Sequence, residues 1–272
     1  MMNSLVEMFS YDFMIKALVV GLLLSLSAAL IGVPLVLRKN SMIGDGLSHV
    51  AFGAFAIASV LGLAPLPVAL PIVVLTSTLI LRLGESRKFS GDAMIALIST
   101  SALALGTFAV SLAGSNVDIN NYLFGSILSL GNADVVVAIL LAALVLPLFV
   151  IFYHRIFAVT FDETFARSIG QNTKLYNLVF AVLCSVVIVL GMRLMGALLI
   201  SALIIFPVLS AKQLATSYKA VVLSSAVISL LALFIGLVAS YLLDTPTGAT
   251  IVLSELAFFL CANLTRKIFK IN

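Results

Sequence analysis

Long apolar runs dominate this sequence and limit what the chain can fold into. The stretch 133–153 contains one charged residue, Asp134, and the stretch 219–243 contains none after Lys219. A helix needs about 20 mostly apolar residues to cross the hydrocarbon core of a bilayer. Runs of this kind give nine candidate spans, at 13–37, 47–63, 64–81, 93–114, 133–153, 175–192, 194–211, 219–243 and 247–264. The sequence therefore predicts an all-α integral membrane protein.

The composition excludes the water-soluble classes of protein. Of the 272 residues, 62% are hydrophobic and 10% are charged, and the mean hydropathy is +1.27. A soluble domain is about 45–50% apolar and about 25% charged, so too few polar residues are present here to cover a soluble surface. We therefore exclude a soluble enzyme, a disordered chain and a secreted disulfide scaffold. We expect one transmembrane domain over residues 1–272, embedded in a lipid bilayer, and no nucleic-acid partner despite the net charge of +4.

Prolines make two of the spans uncertain. The run 64–81 contains Pro65, Pro67 and Pro71, and the run 194–211 contains Pro207. Because proline removes a backbone donor and crowds the preceding turn, either segment can be broken or re-entrant. We therefore expect a polytopic bundle of eight or nine transmembrane helices.

The basic residues predict the orientation of the bundle. With the N-terminus outside and nine crossings, 13 of the 15 Lys and Arg residues fall inside, and the exceptions are Lys16 and Arg193. Such a bias marks the cytoplasmic side of membrane proteins. The acidic and amide-rich connections 115–121 and 244–247 then fall outside. We expect the N-terminus outside and the C-terminus in the cytoplasm.

Asp45 and His49, at the start of the second span, form the strongest candidate site. They are four residues apart and share one face of a helix. A carboxylate and an imidazole on one face supply half of the ligands of a divalent transition-metal site. Alternatively, Asp45 caps the helix N-terminus and His49 bonds to a neighbouring helix. The spacing alone leaves both interpretations open.

Other ionisable residues in the spans are scarce. Glu255 lies near the middle of the last span and is a candidate second metal ligand, a proton carrier, or a partner of a polar group such as Arg193 or Ser201. Asp92 opens the fourth span and is most simply an N-cap. No P-loop motif and no Gly-Lys pair occur in the sequence, so any ATPase that drives this protein must be a separate chain.

Five segments, in this order, resemble the permeases of ABC-type zinc and manganese uptake systems. They cover nearly the whole chain, which makes their combination much more specific than any one of them. The segments are LRKNSMIGDGLSHVAFG at 37–53, Asn116 to Leu128 with the sequence YLFG, FDETFARSIG at 161–170, GALLISALIIFP at 196–207, and DTPTG at 244–248.

The resemblance implies the function and the partners. It implies a bacterial plasma-membrane importer in which two copies of the permease join two cytoplasmic ATPase subunits that bind ATP, and in which an extracytoplasmic protein delivers the metal. Asp45 and His49 would line the permeation path, and the chain would have no cofactor of its own. The binding protein would dock on 115–121 and 244–247. By analogy with other importers, the loop from Pro207 to Lys219 would make the main ATPase contact, with 161–170 as a second contact. Its key residues would be Pro207, Lys212, Gln213 and Lys219.

The choice of metal is finely balanced. The segments 117–125 and 244–248 resemble the zinc branch, but some zinc members carry a histidine near the position of Thr100. Only His49 and His154 are present in the chain, so one subunit cannot build a histidine-rich site. We expect zinc, with manganese or iron as the alternative metal. Two rival functions are a proton-coupled secondary transporter that uses Glu255 or Asp45, and a passive channel or scaffold.

Overall fold

The computed structural model describes residues 7–83, 91–113, 125 and 127–269, and it contains no strand within them. Within these described ranges, nine long helices occupy the nine predicted runs. The helices are α1 (Asp12–Leu37), α2 (Ile43–Val60), α3 (Pro65–Leu83), α4 (Gly91–Ala113), α5 (Asn132–Ile151), α6 (Tyr153–Phe161), α7 (Glu163–Ser168), α8 (Thr173–Met195), α9 (Ala197–Leu214), α10 (Tyr218–Leu243) and α11 (Thr247–Phe269). Eight are long and apolar enough to cross a membrane, and α3 has a shorter apolar stretch, Pro65–Leu81. The predicted helical membrane bundle is confirmed.

The prolines do not break the two spans in which breaks were considered. Helix α3 continues through Pro71 and helix α9 continues through Pro207. Pro65 occupies the first position of α3, where a backbone N–H would have no helical partner in any case. An internal proline removes one hydrogen bond, and lipid offers the remaining backbone groups no alternative partner, so the helix persists.

The connection between α8 and α9 lies three residues later than the sequence predicted. Arg193 is in the last turn of α8, and the chain turns at Gly196, whose φ of +89° is one that L side chains rarely adopt. The helices therefore meet in a sharp corner with no polar loop. Arg193 is held on α8, where its guanidinium lies 3.7 Å from the carboxylate of Asp134 on α5.

The helix ends form two separate groups. One group, here called the basic end, joins the ends of α1, α9 and α11 to the starts of α8 and α10 and to α6 and α7. Its contacts are Arg38 with Asn177 and Glu163, Arg266 with Gln213, and Tyr153 with Tyr218. At the opposite end, Ser240 on α10 bonds Thr247 on α11, and Tyr11 packs against Tyr241. This pairing matches the predicted alternation of helix directions.

Helices α1, α2, α8 and α9 form the buried centre, whereas α4, α5 and α11 expose most of their surface. Helices α2 and α4 approach each other very closely. A Cβ atom on Gly53 would lie 2.4 Å from the carbonyl oxygen of Ala102, and a Cβ atom on Gly106 would lie 2.8 Å from the Cα of Gly53. Backbone therefore packs directly on backbone, as small residues allow in membrane helices.

The segment between α5 and α8 is helical, which the sequence did not indicate. It forms α6 and α7, separated by Asp162, whose carboxylate accepts a hydrogen bond from the Phe165 amide and caps α7. Both helices are too short to cross a bilayer. They place Phe161, Phe165 and Ile169 on the surface of the basic end, each more than half exposed.

Candidate functional site

Asp45 and His49 lie together on α2, as the spacing predicted. Asp45 is the third residue of the helix, and its Oδ2 atom lies 3.6 Å from Nε2 of His49. The helix is preceded by Met42 and has no side-chain cap, so the capping interpretation of Asp45 is wrong. The two side chains are partly exposed, Asp45 at 43% and His49 at 27%. A carboxylate oxygen and an imidazole nitrogen therefore face the same accessible space.

The other ring nitrogen of His49, Nδ1, is buried and has no hydrogen-bond partner among the described residues. The proposed bond from His49 to a neighbouring helix is therefore not formed. Ser201 on α9 is close enough to Asp45 for its hydroxyl to interact with the carboxylate, although it makes no hydrogen bond of good geometry. The pair is thus not satisfied as an ordinary buried polar contact would be.

A cavity of about 510 Å³ opens beside the pair, between α2 and α4. Its wall carries Asp45, His49, Asp92, Ser99 and Thr100. These side chains provide carboxylate, imidazole and hydroxyl donors, the mixed set that first-row divalent cations accept. Thr100, the position considered above in the choice of metal, is therefore part of the wall.

A second cavity, of about 420 Å³, lies towards the basic end, and Asp92 and Ile95 line both cavities. Asp92 is the second residue of α4, in its first turn. The sequence suggested only a capping role for Asp92. Its place in the wall depends on how closely α4 packs on α2, which no local pattern reveals.

Glu255 does not join this site. It is fully buried on α11, and neither of its carboxylate oxygens has a hydrogen-bond partner among the described residues. The suggested pairing with Arg193 or Ser201 is not formed: Arg193 lies beside Asp134, and the Ser201 hydroxyl is itself unpaired. In the part of the chain that the structure describes, no three His, Cys, Asp or Glu residues come together as a metal site.

The predicted ATPase-coupling residues are not all in a loop. Pro207 is a buried residue inside α9, and the helix continues seven residues beyond it to Leu214. Lys212 and Gln213 are in the last turns of α9, and Lys219 is in the first turn of α10. The connection itself is only 215–217. Of the two segments proposed for the binding protein, 244–247 is exposed apart from Thr247, whereas 115–121 lies outside the described residues.

A polar network at the basic end was missed from the sequence. Arg38, Glu163 and Asn177 bond to one another, although Arg38 is more than a hundred residues away from the other two in the chain. Arg38 lies in the segment 37–53 that carries the family resemblance, but nothing in the sequence indicated its partners, because none of the side chains that it bonds lies near it in the chain.

The chain matches one known protein family and is similar to several membrane proteins of metal transport systems. The family model described as the ABC 3 transport family matches residues 10–266. The chain is 31% identical over 264 residues to a probable iron transport system membrane protein of Haemophilus influenzae, covering 97% of this chain and 94% of the relative. It is 30% identical over 250 residues to the manganese import system permease protein ScaB of Streptococcus parasanguinis, with coverages of 92% and 89%. It is 29% identical over 258 residues to the high-affinity zinc uptake system membrane protein ZnuB of Haemophilus influenzae, with coverages of 94% and 99%.

A solved structure agrees with the fold. PsaBC from Streptococcus pneumoniae in complex with Fab superimposes with a TM-score of 0.85 at 28% sequence identity, covering 98% of each chain.

Proposed function

Because the chain belongs to the ABC 3 transport family, as the match over residues 10–266 shows, we propose that it carries a divalent transition metal into the cytoplasm past Asp45 and His49. Membrane permeases of metal import systems make up this family, and this chain is such a permease. The observation that supports the path is the pair itself: a carboxylate and an imidazole, 3.6 Å apart and incompletely paired, face a cavity within a membrane bundle. Intramembrane ionisable residues are costly and mark transport pathways.

We propose zinc as the substrate, with manganese as the second candidate. The relatives are named for zinc, manganese and iron transport, so the comparisons leave the metal open. An imidazole ligand suits zinc, whereas a wall of carboxylate and hydroxyl oxygens also suits manganese. Two strong ligands in one chain hold an ion weakly, which favours release over storage.

We propose that a second copy of the chain packs against the exposed face of the site. Asp45 retains 43% exposure of its side chain on a membrane helix. A carboxylate that faces hydrocarbon is costly, so this face needs a polar protein surface or water opposite it. A second permease facing the first would place two Asp45–His49 pairs around one path and would complete the ligand set.

The remaining partners follow from the family. Permeases of this kind work with an ATPase subunit and a substrate-binding protein. We place the basic end in the cytoplasm, where two ATPase subunits would contact α6, α7 and the α9–α10 connection. The binding protein would deliver the metal at the opposite end. ATP-driven closure would switch the path between outward and inward access.

Uptake by reconstituted vesicles tests this function. Vesicles that contain the permease and its ATPase, supplied with the metal-loaded binding protein, should accumulate ⁶⁵Zn²⁺ only when ATP is present in the lumen, where the cytoplasmic face of the permease is exposed. Excess Mn²⁺ should compete weakly if zinc is the substrate and strongly if manganese is. Uptake by the permease alone that collapses with a protonophore would instead establish the secondary transporter.

A further inference from the structure

Arg38 is the first residue after α1, and its guanidinium bonds to three different elements. Its Nη1 atom donates to Oδ1 of Asn177 on α8 at 3.0 Å. Its Nη2 atom donates to the carbonyl oxygen of Val159 on α6 at 2.8 Å and approaches Oε2 of Glu163 on α7 at 3.4 Å. A planar guanidinium with several fixed donors suits such a junction better than a single ammonium group does.

Asn177 closes the network into a ring. Its Nδ2 atom donates to Oε1 of Glu163 at 3.2 Å, while its own oxygen accepts from Arg38. The side chains of Arg38 and Glu163 are only 14% and 25% exposed. Partial removal of water strengthens these charge-assisted bonds, and their geometry holds the three helices in one arrangement.

The network reaches the metal pair through a short, stiff turn. In the α1–α2 turn, the Asn40 amide bonds the Leu35 carbonyl at 2.9 Å and the Ile43 amide bonds the Asn40 carbonyl at 3.1 Å. Asp45 follows as the third residue of α2. One hydrogen-bonded turn and the first turn of α2 are therefore all that separates the Arg38 network from Asp45 in the chain.

We propose that Arg38 is a positioning residue that couples movement of α6 and α7 to the Asp45–His49 pair. This inference rests on the proposed function, in which ATPase subunits contact the basic end. The exposed apolar side chains Phe161, Phe165 and Ile169 give α6 and α7 a surface that such a partner can move. Coupling of this kind is a free energy shared between two sites and is measured as a ratio of activities.

Two lysine substitutions test the proposal. Arg38→Lys keeps the positive charge but cannot bond α6, α7 and α8 at once. Arg193→Lys is the matched control, because Arg193 also lies beside a carboxylate, that of Asp134 at 3.7 Å, but is in the last turn of α8, at the end away from α6 and α7. In vesicles that contain the complete transporter, ⁶⁵Zn²⁺ uptake and phosphate release are measured together. Arg38→Lys should lower the zinc moved per ATP hydrolysed by about tenfold, and Arg193→Lys by less than about twofold.

Three results would overturn the inference. The first is an unchanged ratio in Arg38→Lys, and the second is an equal loss in Arg38→Lys and Arg193→Lys, which would show that the effect is not specific to the Arg38 network. If Arg38→Lys does not assemble, the double variant Arg38→Gln/Glu163→Gln, which removes both charges, replaces it, and a normal ratio in that variant is the third. Absence of ATP-dependent uptake in the unsubstituted transporter is different, since it overturns the proposed function and this inference with it.

Discussion

Replacing Glu255 with methionine should stabilise the protein and leave metal uptake unchanged. Glu255 has no exposed surface, and neither carboxylate oxygen has a hydrogen-bond partner within the described residues. Burial of a carboxyl group without a partner is costly. Even as a neutral acid it is an unsatisfied polar group. Methionine has a similar size and adaptable rotamers, and it has no polar hydrogen to satisfy.

The expected gain follows from the cost of an unpaired polar group. Mutational data place that cost at about 1–3 kcal/mol. A gain of this size would raise the midpoint of thermal unfolding by about 2–10 °C for a chain of this length. Glu163→Met is the control, because Glu163 accepts from Arg38, Asn177 and Arg167. The same substitution there should lower the midpoint, since three donors lose their partner.

The measurement is thermal unfolding of both purified variants in one detergent or nanodisc, together with ATP-driven ⁶⁵Zn²⁺ uptake by the reconstituted transporter. A midpoint for Glu255→Met as low as that of Glu163→Met would mean that Glu255 has a stabilising partner, and the reasoning would fail. A raised midpoint with uptake abolished would show that Glu255 carries protons or metal, which would restore the role considered from the sequence.

Three further predictions concern the site and its support. Asp45→Asn and His49→Ala should each abolish ⁶⁵Zn²⁺ uptake while the permease still co-purifies with its ATPase, because each removes one of two strong ligands; normal uptake by both would return the pair to a packing role. Gly53→Ala should destabilise the protein by about 1–3 kcal/mol in thermal unfolding, since its Cβ would meet the Ala102 carbonyl at 2.4 Å; Gly91→Ala, which meets no atom within 4 Å, should have little effect, and equal midpoints would contradict the close packing. Lys219→Glu at the start of α10 should weaken co-purification with the ATPase most at low salt, and less as added salt screens the charges; an unchanged complex at low salt would remove the α9–α10 connection from the contact.

The sequence predicted the helices well because lipid leaves few alternatives. Every backbone group in the membrane needs an internal partner, so a long apolar run becomes a helix even when it contains Pro71 or Pro207. The same physics explains why these prolines do not break the helices. Proline is a strong signal for a break in water, but in lipid its cost is smaller than the cost of unpaired backbone.

Side-chain partners were much less predictable. The pairing of Asp45 with His49 was visible because it is local to one helix turn. Arg38, Glu163 and Asn177 meet only after α1, α7 and α8 have packed, and their separation in the chain hides them. The isolation of Glu255 was equally hidden, because the absence of a partner depends on every helix around it.

The contact of Gly53 with Gly106 has a consequence for the transport cycle. Backbones packed at this distance lose close contacts when they slide or separate, so we expect α2 and α4 to move together as a pair. Asp45, His49, Ser99 and Thr100 are all carried by that pair. Their relative positions would then stay constant, and an ion would be captured or released by changing what stands opposite them. The cavity side chains on α2 and α4 would then determine which ion is selected, whereas the surface that moves opposite them would determine the direction of transport.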